Sequence, residues 1–160
     1  MAATTWYRPA TQADDLTDFR LLMELPAVRR LAHRGLSGQE LALVQKVADA
    51  TARAARSGDV PGYLRADMVF HLCLLELTSD PAISEIARLL LGADRACSAE
   101  VSAGLMARDA REHSELIGLL ADGMVSPADH LLRLHLSRLS AGRLASARPA
   151  EPEFISTAGA

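Results

Sequence analysis

The chain has 160 residues, 49% hydrophobic but only 4% aromatic, which fits one domain with one sizeable core. Its net charge of −3 gives no basic footprint for nucleic acid. No uncharged apolar run approaches the ~18 residues of a membrane span, and no signal peptide opens the sequence.

Residues 1–12 lack apolar periodicity and read as a flexible lead-in, with Trp6 and Tyr7 as either the stub of a longer chain or a contact to a partner subunit. A first helix is predicted over about Ala13 to His33, with Leu16, Phe19, Leu22 and Met23 at helical spacing. Pro26 should kink or split it, because proline removes an amide donor and crowds the preceding turn. Gly35 ends it. Ser37-Gly38-Gln39-Glu40 is a capping box, so a second helix runs from there to about Arg56. Asp59 caps a third, with Pro61 in its first turn. Asp80 and Pro81 open a fourth, predicted to reach about Val101. The fifth is predicted over about Ala107 to Ala121 and closes on Gly123. Ser126-Pro127-Ala128-Asp129 opens the sixth, which extends to about Leu144. Residues 146–160 read as a disordered tail. No stretch alternates at period two, so the fold expected over 13–145 is an all-α antiparallel bundle of six or seven helices. Cys73 and Cys97 lack metal-site or redox spacing and are expected to be reduced, buried thiols of a cytoplasmic protein.

The third helix carries the chemistry. From Val69 to Leu77 its only charged or imidazole side chains are His71 and Glu76, so it reads as buried. Asp67 and His71 stand four residues apart on one face of it. A buried carboxylate needs compensation. Taken alone, the pair fits either a hydrogen bond inside a helical core or two ligands of one metal ion. His113 falls in the stripe of Leu116, Ile117 and Leu120, and His135 in that of Leu131, Leu132, Leu136 and Leu139. Three inward imidazoles plus Asp67 would need several separate partners, whereas one metal compensates them all. His33 reads as a surface cap, and His130 points away from the His135 stripe.

Several of these residues form a pattern. Arg20-Leu21-Leu22-Met23-Glu24, Leu31-Ala32-His33-Arg34, Gly58-Asp59, Asp67-Met68-Val69-Phe70-His71, Glu112-His113 with Ile117, and His135-Leu136 follow in that order, with 22 residues from His113 to His135. In this the chain resembles the FCD domain, the C-terminal effector-sensing domain of FadR-type GntR transcription regulators, over about Asp15 to Leu139. The resemblance implies a helical bundle and a homodimer. It also implies a divalent metal held by Asp67, His71, His113 and His135, with a small organic acid docked on or beside it. Arg20 matches an arginine that in some members grips the acid's carboxylate. Its guanidinium suits that task, and equally suits an ion pair with Glu24 one turn on. Asp80 replaces the family's usual Asn, and Gly123-Met124 its Gly-Asp, with Ser126 expected to take over the second cap. The winged helix-turn-helix domain that precedes the FCD domain in the family is absent from these 160 residues.

The function expected is therefore metal-dependent sensing of an organic acid, with no nucleic acid bound by this chain alone and no membrane. A donor set of this kind suits Zn, Ni, Fe or Mn. The alternative is a metal-dependent enzyme using the same site. It would need a base: Glu76 and Glu115 read as solvated, and Glu112 as pointing away from the site.

Overall fold

The computed structural model describes residues 12–93 and 101–146. Among these, six helices and no strands form: α1 Gln12–Arg34, α2 Gly38–Ser57, α3 Val60–Glu76, α4 Pro81–Ala93, α5 Ala103–Ala121 and α6 Val125–Ser146. Trp6, Tyr7 and Cys97 lie outside the described residues, as do the proposed lead-in up to residue 11 and the tail from 147.

The caps explain most of the boundaries. Ser37 and Glu40 make the reciprocal capping box at the start of α2. Asp59 accepts from the Gly62 amide to open α3. Asp80 accepts from the Ala82 and Ile83 amides ahead of α4. Gly35, Gly58 and Gly123 all adopt left-handed backbone where helices end. Two boundaries differ from the sequence reading. Val101 is not helical, so α4 does not extend to it. α5 starts a turn earlier than Ala107, because Ser102 caps it through the Leu105 amide. At α6, Val125 already begins the helix and Ser126 lies inside its first turn.

Pro26 does not split α1, which runs unbroken through it. The proline sits on the exposed side. The carbonyl it deprives of an amide partner belongs to Leu22, a residue 70% exposed. That exposure also corrects the predicted apolar stripe of α1. The inward positions are Arg20, Glu24, Leu25, Ala27, Val28, Leu31 and Ala32.

α2 packs against α3 and α5, while α1 packs against α6 and α3. The main core joins Leu25, Val28 and Leu31 of α1 to Val44 of α2, Phe70 and Leu74 of α3, Leu116 and Leu120 of α5, and Leu132 and Leu136 of α6. Each fully buried Leu, Val or Phe contributes about 1.5–3 kcal/mol. This core forms the wall on which the polar centre is mounted.

Candidate metal centre

α3 places Asp67 and His71 on one buried face, α5 adds His113, and α6 adds His135. Donor atoms of these four side chains all lie within 4.8 Å of one another. Asp67 Oδ1 is 3.4 Å from His113 Nε2 and 3.7 Å from His71 Nε2. His71 Nε2 and His135 Nε2 are 3.2 Å apart. The structure thus brings together all four residues that the sequence singled out. His33 and His130 are exposed, as expected. Cys73 is buried and free.

Two of the rings are aimed by carboxylates. His71 Nδ1 lies 2.6 Å from Glu24 Oε2, and His135 Nδ1 lies 2.9 Å from Glu112 Oε2. An Nδ1–H donated to a carboxylate leaves Nε2 pointing inward with its lone pair. Each carboxylate is itself held by an arginine: Arg20 Nε donates to Glu24 Oε1 at 2.8 Å, and Arg138 Nη1 donates to Glu112 Oε1. Two arginine–carboxylate–imidazole chains therefore enter the centre from different helices. His113 is fixed otherwise, by stacking on Phe70 with ring centroids 3.8 Å apart and planes 15° from parallel.

The electrostatics follow from burial and these partners. Burial would raise the Glu24 carboxyl, but the Arg20 guanidinium and the His71 ring overcome it and hold Glu24 at about 2. Burial would likewise raise Asp67, and the His113 and His71 rings facing it hold it well below the usual carboxylate range. Burial pushes His113 down to about 4, so its ring is neutral at physiological pH. For His71 burial acts downward too, yet Glu24 wins and the net direction is upward.

Asp67 Oδ1 and His113 Nε2 are buried and find no hydrogen-bond partner among the described residues. Polar atoms left this way are costly. Asp67, His71, His113 and His135 could hold one divalent first-row ion, and an ion would satisfy those two atoms together. The donor set fits.

Five neighbours of the centre, Arg138 among them, escaped the sequence reading or were misread. Glu24 appeared only as the partner of Arg20, which it is, but it also orients His71. Glu112 does not point away; it is buried against His135 and Arg138. Asp109 is fully buried and accepts from the Tyr63 hydroxyl at 2.5 Å. The available signal was spacing, since Tyr63 and Asp109 precede Asp67 and His113 by one helical turn each. Glu76 is exposed and paired with Arg88, and Glu115 is exposed, as expected.

Solved structures share this fold. One is Lar, which controls expression of the agr system of Listeria monocytogenes: TM-score 0.75 at 18% identity, covering 83% of this chain and 65% of that one. McbR/YncC of E. coli gives TM-score 0.75 at 18% identity, covering 89% of this chain and 73% of that one. The metal-free FCD domain of TM0439 gives TM-score 0.66 at 17% identity, covering 84% and 92%. The chain thus spans just under two thirds of the length of Lar. No curated protein matches it significantly. The sequence pattern of the FCD domain, however, matches residues 15–138. With that span and this helical architecture, the chain belongs to the FCD domain family.

Proposed function

We propose that the chain is the sensing domain of a GntR-type transcription regulator. It holds one divalent first-row transition metal, Zn, Ni, Fe or Mn, through Asp67, His71, His113 and His135. A small organic acid binds beside the ion, its carboxylate anchored by the ion and by Arg20. The observation that carries this reading is the convergence of four buried N and O donors, two of them without any other partner among the described residues. When bound, the ion supplies a positive centre that takes six ligands in several of these metals, leaving room beyond four protein donors. Arg20 is buried one turn before Glu24, so its charge already belongs to the centre.

The FCD family membership and the fold shared with Lar and McbR/YncC support the regulatory part of the reading. On it, the domain works as a cytoplasmic homodimer and reaches DNA through a separate domain of the regulator. Among the described residues, no helix is long and apolar enough to cross a membrane.

Calorimetric titration with succinate tests the proposal on metal-loaded and chelated protein. Metal and acid sharing one complex must each raise the other's affinity. Equal succinate affinity with and without metal refutes the shared site.

A further inference from the structure

An open cleft of about 420 Å³ lies between α2 and α5. Its walls are Ala52, Ala55, Ala107 and Ala110, with Arg56 contributed by α2 and Arg111 by α5. Ala52 and Arg56 stand one turn apart, as do Ala107 and Arg111, so each helix turns one face to the cleft. The cleft exists because these positions are alanines; a leucine at any of them would fill space that is now open. It is not part of the metal centre. Around α5, Asp109, Glu112 and His113 project roughly 110–150° away from the lining face.

The charge at this cleft is one-sided. Arg53 and Arg108 stand three residues before Arg56 and Arg111, and all four arginines are exposed. Among the described residues, none of the four enters an ion pair, whereas Arg29, Arg34, Arg88 and Arg133 each meet a carboxylate. The neighbouring acids are engaged elsewhere. Asp49 accepts from Gln45, Asp109 from Tyr63, and Glu112 is held by His135 and Arg138. Glu115 follows Arg111 by one turn, yet no ion pair joins them. A chain of net charge −3 thus presents four guanidinium groups, not neutralised by any described carboxylate, at and beside one cleft.

These features select a class of ligand. Small molecules bind in clefts of this size, where mostly apolar walls carry a few placed polar groups. A guanidinium on each side calls for anionic groups, which it holds through paired N–H donors. The alanine side chains offer no hydrogen bond and accept only an apolar body. We propose that this cleft is a second ligand site, taking a small organic anion, a dicarboxylate or a phosphate ester. Its charged groups meet Arg56 and Arg111, its apolar part lies on the alanines, and its binding needs no metal.

The test is calorimetric titration of phenyl phosphate and isophthalate into the metal-loaded and the chelated chain. At least one probe should show a binding event present in both forms, and that event should weaken as salt is raised. The tighter probe identifies the anionic group. Arg56→Ala and Arg111→Ala should each weaken the event by about tenfold or more; both side chains are exposed, so the fold is kept. Ala107→Leu retains both arginines and should remove the event by filling the cleft. Inorganic phosphate, which lacks an apolar body, should bind more weakly than phenyl phosphate. No binding of either probe overturns the inference. So does an event that neither arginine variant weakens, or one that Ala107→Leu leaves unchanged. An event lost on chelation would place the anion at the four metal donors and overturn it as well.

Discussion

His71 and His135 turn their Nε2 atoms toward each other at 3.2 Å, while each donates from Nδ1 to its own carboxylate. Two lone pairs do not sit at that separation unaided. A cation must lie beside them, or one nitrogen must carry a proton and donate it to the other. In the metal-free chain the proton belongs on His71, the ring whose affinity for it Glu24 raises above the ordinary 6.5.

Metal binding should therefore expel a proton from His71. The sign follows: a raised folded value stabilises the metal-free fold fully below about 6.5 and loses that contribution as pH climbs through the raised value. Metal affinity moves oppositely, rising about tenfold per pH unit until His71 is neutral. His113, held at about 4, should release nothing above about pH 5. Calorimetry in buffers of different ionisation enthalpy counts the protons. Near pH 6 it should find about one per ion, and a count of zero would remove the proton from this account.

The chain should carry about one divalent ion per copy, and His113→Ala should lose most of it, because one missing ligand leaves poor geometry. Glu24→Gln and Glu112→Gln leave all four donors in place but weaken the orientation of His71 and His135. Each should lower metal affinity by about 10- to 100-fold. Chelator competition measures these steps. A Gln variant that holds metal as tightly as the parent chain would reduce its carboxylate to a packing role.

Arg20→Ala should act on both ligands. An arginine that only gripped the effector would affect the acid alone. Here Arg20 also holds Glu24, which aims His71, so its loss should weaken the acid by about tenfold or more and the metal by a smaller factor. Titration of metal into the acid-free variant separates the two. Unchanged metal affinity would confine Arg20 to the effector, and unchanged acid affinity would confine it to Glu24.

The imidazoles were legible in the sequence because each interrupts an apolar stripe, and a polar residue in such a stripe either finds a partner or destabilises the fold. Asp67 was legible through its four-residue spacing from His71. Glu24 was not, for a physical reason. Arg20 and Glu24 neutralise each other over one turn and are buried as a unit, whereas hydropathy assigns charged residues outward and Leu22 inward; the exposures are 5%, 1% and 70%. Glu112 was misread because it neighbours His113 in the chain and so projects roughly 100° away around the helix. That direction leads to His135 on α6, a contact set by tertiary packing alone. Helix boundaries were clear wherever a cap had a strong signature, as at Ser37 and Asp59. They were unclear at Ser102, whose helix opens on Ala103-Gly104, a weak start by propensity.

α1, unbroken at Pro26, extends over about 34 Å. Its carboxyl end is pinned: Arg34 donates to the Gly35 carbonyl, to both Glu40 oxygens at the head of α2 and to the Leu77 carbonyl behind α3. Glu24 lies about 15 Å from that pin, and the amino end of the helix about 33 Å from it. A lever of these proportions magnifies a shift at Glu24 about twofold at its far end. Nitroxide distances from α2 to Asp18 should then change more on metal and acid binding than distances to Arg30; equal changes would mean that the helix slides rather than swings. A proline that failed to break its helix is what allows a sub-ångström adjustment at an imidazole to be felt two turns beyond Arg20.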